Sequence, residues 1–208
     1  DAFYLASGLK KINVADGNAA YVSSNGIVML KDTGEIYIWP QGNETTEFTL
    51  PSTMTEIPDK MFQNNTSLKK VVVPASVTKV GTYAFSSSGI EEIYFEDSAN
   101  GLTVGAFAFY NCPNLTSLRL PYGLTSIGAS AISKTGLETI VIPDTVTEMG
   151  GSALAYNDAL KNVTLSKSLT AVPSRGFVGC EALTELTLPA SVRRLSASAT
   201  PSMPSPTA

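Results

Sequence analysis

The feature that most constrains this chain is that it repeats. A short phrase, Leu-x-x-hydrophobic-x-hydrophobic, begins at Leu68 ("LKKVVVP"), Ile90 ("IEEIYFE"), Leu115 ("LTSLRLP"), Leu137 ("LETIVIP"), Leu160 ("LKNVTLS") and Leu183 ("LTELTLP"). Successive starts differ by 22, 25, 22, 23 and 23 residues. "TTEFTLP" from Thr45 is a weaker copy one period earlier, and "LKKINV" from Leu9 an earlier one still. Each unit continues with a second phrase, as in "SVTKVGTYAF", "GLTSIGASAI" and "TVTEMGGSAL", and a linker such as "QNNTS" or "YNCPN" leads to the next leucine. A unit this short cannot bury its own apolar face, so a period of this length means stacked coils that share one core.

Alternation in the first phrase puts Val71 and Val73 on one face and Val72 on the other, as a short half-buried strand requires. Pro74 cannot donate into a continuing ladder and ends that strand. The Val-Thr-x-Val-Gly phrase is expected to turn the chain, and the Ala-Phe pair to return a large apolar side chain from the opposite side. Coils stacked at roughly 4.8 Å then form one parallel sheet on one face, irregular or short helical turns on the other, and a column of Leu, Val and Phe between them. The expected fold is a right-handed, β-rich solenoid of about six to seven units over residues 45–195.

The chain has 208 residues, 43% of them hydrophobic and 15% charged, enough to build a substantial core. A net charge of -4 and no cluster of Lys and Arg argue against nucleic acid as a partner. No apolar run approaches the roughly 20 residues needed to cross a bilayer. There is no histidine, which removes the commonest general base, the commonest zinc ligand and every Ser-His or Cys-His arrangement.

The phrase hydrophobic-Pro-x-x-Val-Thr-x-Ile-Gly-x-x-Ala-Phe-x-x-Cys-x-x-Leu-x-x-Val, as these units write it, resembles the BspA-type leucine-rich repeats of bacterial surface proteins. The resemblance covers about residues 45–195. Cys112 and Cys180 stand three residues after Phe109 and Phe177, where that family often places cysteine or asparagine. Ile132 and Leu154 replace the phenylalanine, Glu96 and Ser166 replace the proline, and the unit containing "DSANG" carries two extra residues. The resemblance implies a leucine-rich-repeat solenoid, a cell-surface or secreted location, and recognition of a host or matrix protein.

The ends depart from the pattern. "AF" at residues 2 and 3 reads as the tail of a repeat, so the chain is expected to open inside a longer array, with a targeting segment removed or further sequence preceding it. Residues 1–44 are read as partial first repeats with an inserted β-hairpin, Ile27 to Leu30 and Glu35 to Trp39 joined at "KDTG". Insertions ending in a phrase like "WPQG" also occur in the family that the repeats resemble. Residues 196–208 are Ser/Pro-rich and read as a tail or linker.

The two cysteines occupy equivalent positions three coils apart, roughly 14 Å at the strand spacing, whereas a disulfide allows about 7 Å between Cα atoms. They are expected to be unpaired thiols packed as small hydrophobes. Exposed strand positions fall into columns: Lys69, Glu91, Thr116, Glu138, Lys161, Thr184; then Lys70, Glu92, Ser117, Thr139, Asn162, Glu185; then Val72, Tyr94, Arg119, Val141, Thr164, Thr187. Lys69 and Lys70 are expected to face Glu91 and Glu92 across neighbouring strands. The candidate binding residues are these four with Tyr94 and Arg119, an aromatic and a guanidinium of the kind enriched at interface hot spots.

No catalytic arrangement is visible, since Glu91 and Glu92 are strand neighbours rather than carboxylates across a cleft. Asp16, Asn18, Asp32 and Glu35 lack the spacing of a calcium loop and suit turns instead. Trp39 is expected to staple the hairpin to the first coils. The sequence therefore reads as a non-enzymatic recognition or adhesion module, monomeric, without cofactor or metal. The alternative is a structural spacer presenting another domain of a longer surface protein.

Overall fold

The computed structural model describes residue 3, residues 5–98 and residues 101–195. An antiparallel sheet comes first, with β1 (Tyr21–Ser24), β2 (Ile27–Leu30) and β3 (Ile36–Ile38) in the order β1-β2-β3. Val28 pairs with Ile38, and Gly34 N donates to Leu30 O at 2.9 Å to close the turn between β2 and β3. Asn18 and Asp32 serve turns: Asn18 Oδ1 accepts from Ala20 N and Tyr21 N, and Asp32 Oδ1 from Thr33 N.

Coils follow, each with two strands. They are β4 (Glu47–Thr49) with β5 (Glu56–Ile57), β6 (Lys70–Val73) with β7 (Lys79–Val80), β8 (Glu92–Phe95) with β9 (Leu102–Val104), β10 (Ser117–Arg119) with β11 (Leu124–Ile127), β12 (Thr139–Val141) with β13 (Glu148–Met149), and β14 (Asn162–Thr164) with β15 (Ala171–Val172). A last strand, β16 (Arg194–Leu195), pairs with β15.

Two expectations are corrected here. The chain builds two columns of parallel strands rather than one sheet: β4-β6-β8-β10 with β12-β14 on one side, and β5-β7-β9-β11-β13 on the other. The Val-Thr-x-Val-Gly phrase does not merely turn the chain: Val77 is buried in the turn after Pro74, and the chain then extends, burying Val80 and letting Lys79 pair with Glu56 and Thr103 in the neighbouring coils. The far corner holds no helical turn; no helix occurs among the described residues. Two smaller differences concern the ends of the array. The copy at Leu9 forms no strand, nor does "LTELTLP" from Leu183. The Ser/Pro-rich segment 196–208 lies outside the described residues.

The corner has its own logic. In every coil the residues two before and two after the buried Phe, Ile or Leu have positive φ: Tyr83 and Ser87 around Phe85, Phe107 and Asn111 around Phe109, Ser130 and Lys134 around Ile132, Ser152 and Tyr156 around Leu154. Left-handed geometry costs a non-glycine residue about 1–2 kcal/mol. It turns alternate N–H groups along the solenoid axis, so that Tyr83, Phe85 and Ser87 donate to Ala106, Ala108 and Tyr110 of the next coil at 2.8–3.1 Å. Three inter-coil hydrogen bonds per corner, each worth about 1 kcal/mol net, offset that strain and extend the ladder around the coil.

Inside, the pattern of one coil recurs until the end of the array, where Val163, Val172 and Phe177 are only half-buried. Leu68, Val71, Val73, Val77, Val80, Phe85 and Ile90 are buried, and Phe62, Phe85 and Phe109 stack at 4.8 and 5.4 Å between ring centres. Ile132 and Leu154 continue this column fully buried, so the missing phenylalanines change the filling and not the coil. Trp39 is buried edge-on against Phe48 and Phe62, at 5.1 and 5.0 Å. A polar thread runs beside the rings. Asn157 Oδ1 accepts from Thr135 N and Oγ1 at 2.7 and 2.8 Å, and its Nδ2 donates to Ile132 O and Leu154 O at 2.7 and 2.9 Å. Asn65 is satisfied in the same fourfold way by Gln41 O, Asn43 O, Ser67 N and Leu68 N.

Candidate binding surface

The first strand column sets the three exposed columns in the expected register. Lys70 pairs with Glu92 and Glu92 with Ser117; Val72 pairs with Tyr94 and Tyr94 with Arg119; Val141 pairs with Thr164. Lys69 and Lys70 meet Glu91 and Glu92 at 3.2 and 3.4 Å, and Lys161 meets Glu138 at 2.9 Å. Exposed pairs of this kind contribute only about 0–1 kcal/mol each. They fix register and leave the six candidate residues divided: four are engaged with one another, and two, Tyr94 and Arg119, stand beside a groove.

Arg119 is tied into the fold more tightly than its sequence position suggests. Its Nη2 donates to Asp97 Oδ2 at 2.8 Å, its Nη1 to Phe95 O at 3.0 Å, and its guanidinium carbon lies 5.4 Å from the centre of the Tyr94 ring. One coil earlier, the corresponding carbonyl, Val73 O, accepts from Glu96 N at 2.9 Å. Pro121 stands in place of that donor and has no N–H, so the arginine supplies the bond that the proline cannot. Asp97 also accepts Tyr122 N at 2.9 Å. The Arg119 hydrogen bond, followed by that of Tyr122, holds the Asp97 carboxyl below its usual range.

The ladder is interrupted beside this cluster. Glu91 N, Thr116 N and Lys161 N each donate one coil back, to Lys69 O, Glu91 O and Glu138 O. Glu138 N makes no such bond among the described residues, and no strand pairing joins β10 to β12. The same coil contains a bulge, where Thr125 is extra in β11 relative to β9. At the interruption lies a groove of about 600 Å³, lined by Leu118, Arg119, Tyr122, Val141, Asp144 and Lys167 among others. Large side chains in and beside it face solvent: of the lining, Val141 is 62% exposed and Tyr122 69%, and Tyr94, against Arg119 at the groove's edge, is 44% exposed. Asp144 closes the far side, accepting Lys167 N at 2.9 Å and meeting Lys167 Nζ at 3.3 Å. Sequence reasoning placed Val141 in its column but missed Asp97, Tyr122, Asp144 and Lys167, which form a further column just past the strands, each seven residues after the start of its unit at Ile90, Leu115, Leu137 and Leu160.

Such a groove offers shape, aromatic surface and fixed charges. No group of three or more His, Cys, Asp or Glu able to hold a metal occurs among the described residues. The cysteines are free thiols set into the coil: Cys112 Sγ donates to Phe85 O at 3.0 Å and Cys180 Sγ to Leu154 O at 3.1 Å. Burial pushes both thiols up.

The family model described as BspA type Leucine rich repeat region matches in six copies, over residues 37–107 and 98–200. The chain belongs to the BspA-type leucine-rich repeat family. Among solved structures, this BspA-type chain is similar to a leucine-rich repeat protein of T. pallidum, at 25% identity and a TM-score of 0.70, covering 88% of this chain and 86% of that one. It is also similar to a leucine-rich repeat protein from Bacteroides ovatus, at 24% identity and a TM-score of 0.69, covering 88% and 49%. A leucine-rich cell surface protein from Faecalibacterium prausnitzii matches at 21% identity and a TM-score of 0.57, covering 96% and 44%. The last two are about twice the span that this chain matches, and all three show the same coil architecture. A search of curated protein sequences gave no match.

Proposed function

We propose that this chain is a non-enzymatic recognition module that binds a protein ligand, a host or matrix component, through its first strand column at the β10–β12 groove. The observation that carries the reading is the exposure of Tyr122 and Val141 in one groove at the interruption of the sheet, with Tyr94 exposed beside its Arg119 edge. An aromatic-rich patch beside a guanidinium is the composition that interface hot spots favour. Repeat solenoids bind through extended faces built from variable positions on a constant frame, and this face has that form. An extracellular or cell-surface location is part of the same reading. It is supported by membership of the BspA-type family and by the likeness to a protein described as a cell surface protein. The reading takes the coil as right-handed, the sense preferred by parallel strands joined by crossovers. It takes the antiparallel sheet of residues 21–38 as an insertion at the start of the array.

The test is a binding titration against a panel of matrix proteins and against epithelial cells, comparing the native chain with Tyr94→Ala/Tyr122→Ala/Val141→Ala. A loss of at least tenfold in affinity with an unchanged melting temperature supports the reading. Arg119 is left out of that variant because its ties to Asp97 and Phe95 make its removal a structural change as well. Undiminished binding by the triple variant would move the site elsewhere. Absence of binding to every target would favour the spacer.

A further inference from the structure

The opposite corner of the solenoid carries a second, differently built cleft. The residue two places before the Phe, Ile or Leu at each corner reads, along the coils, Lys60, Tyr83, Phe107, Ser130, Ser152, Arg175. Large side chains give way to two serines and then to a guanidinium, so the corner is notched over about three coil spacings, roughly 14 Å. Tyr83 and Phe107 stack almost parallel at 4.8 Å, and Tyr110 meets Phe107 edge-on at 5.5 Å. Phe107 and Tyr110, with Tyr83 backing Phe107 from behind, wall one end of a cleft of about 500 Å³, and Arg175 lines it with them. The second positive-φ column brings in Lys134, whose ammonium lies 5.4 Å from the Tyr110 ring centre and 5.8 Å from that of Tyr156.

The cleft is cationic. Among the described residues, seven ion pairs occupy lysines or an arginine elsewhere, but neither Lys134 nor Arg175 is among them, and no Asp or Glu lines the cleft. A chain with net charge -4 has here concentrated two uncompensated cations. Ser130 and Ser152 make no side-chain hydrogen bond among the described residues, whereas Ser133 is committed to Ala155 O at 2.6 Å. The cleft thus offers an aromatic wall, free hydroxyls from serine and tyrosine, and a doubly cationic side.

We propose that this corner cleft binds an acidic sugar residue of a glycan. The apolar face of the pyranose packs on Phe107, its hydroxyls meet Ser130, Ser152 and the tyrosines, and its carboxylate is held by Lys134 and Arg175. An aromatic anion such as phosphotyrosine would use the cations and the ring but carries no ring hydroxyls to match those of the serines and tyrosines. A neutral sugar would leave both cations unmatched.

The experiment is titration of the native chain, followed by NMR or calorimetry, with 3′-sialyllactose, a glucuronic acid-terminated disaccharide, lactose and phosphotyrosine. The acidic sugars are expected to bind at least tenfold more tightly than lactose and more tightly than phosphotyrosine, with affinity falling as salt is raised. Lys134→Ala and Arg175→Ala should each weaken binding at least fivefold. Ser130→Tyr, which fills the notch with the residue the same column already carries at Tyr83, should abolish it. All three sites lie on the surface, and unchanged melting temperatures will show that the coil is intact. Equal binding of acidic and neutral sugars, preference for phosphotyrosine, persistence of binding in the variants, or no binding at all would overturn the proposal.

Discussion

The stacking of coils depends on a column of glycines, and Gly128→Ala tests this most sharply. An alanine Cβ at 128 would stand 2.5 Å from Ala106 N and 2.6 Å from Gly105 C, backbone atoms of the preceding coil. Ordinary contact distances are about 3.5 Å or more, so the two coils must separate by about 1 Å locally. No rotating side chain can absorb this, and the separation strains the bond from Gly128 N to Val104 O, now 2.8 Å. Overpacking of this kind costs about 1–3 kcal/mol, and obstruction by backbone on both atoms favours the upper part of that range. The reduced freedom of the unfolded chain returns about 0.4–1 kcal/mol. A net loss of about 2 kcal/mol corresponds to a melting temperature lower by about 4–8 °C for a chain of this size. Gly151→Ala is the control, because its Cβ would meet only Ser174 O at 3.5 Å. Thermal and urea unfolding followed by circular dichroism should show Gly128→Ala clearly destabilised and Gly151→Ala unchanged or slightly more stable. Equal stability of the two variants would refute the idea that coil spacing is set by backbone contact at the glycine column.

Other consequences follow from the same contacts. Asn157→Leu keeps the side-chain volume but strands Thr135 N, Thr135 Oγ1 and Ile132 O in the core and leaves Leu154 O only its bond from Cys180 Sγ; a loss of about 3–5 kcal/mol is expected in urea unfolding. Cys112 should resist alkylation by iodoacetamide in the native protein at pH 8 and react only on unfolding. Cys180, half-buried, should react sooner, and mass spectrometry of the two peptides will read the order. Acid should weaken the fold through Glu44, Asp97 and Asp144, whose carboxyls are held low chiefly by hydrogen bonds from Lys10, Arg119 and the Lys167 backbone. A carboxyl with a lowered folded value stabilises fully above its usual titration range and loses that contribution as pH falls through the lowered value. Stability should therefore decline below the ordinary carboxylate range, and Asp97→Asn should flatten part of that decline in a pH series of melting temperatures.

The repeat made the coil legible, because a buried column needs the same residue type at the same place in every turn. Val71, Phe85 and Gly81 announce their roles by recurring. The second strand column was harder to read: "VTKVG" places its apolar residues three apart and shows no alternation, so nothing separates a two-residue strand such as Lys79–Val80 from a turn. The left-handed corner was hidden for a different reason. Tyr83, Phe107 and Lys134 are not residues that normally mark positive φ, and the inter-coil hydrogen bonds that hold them there involve only backbone. The groove at β10–β12 depends on where the ladder fails, and failure has no period. The corner notch could have been found by reading the residue two before each Phe as a column, since its change from Tyr and Phe to Ser, Ser and Arg is written in the sequence.

The central claim is that variable side chains at the sheet interruption touch a partner while the coil beneath only holds them. A photo-crosslinking amino acid tests this directly when placed at Tyr122 and, in a separate sample, at the exposed Tyr37 of the N-terminal sheet. Illumination on epithelial cells or matrix should give a discrete covalent adduct from position 122 and none from position 37. Adducts of equal yield from both positions, or from position 37 alone, would contradict the assignment of this face.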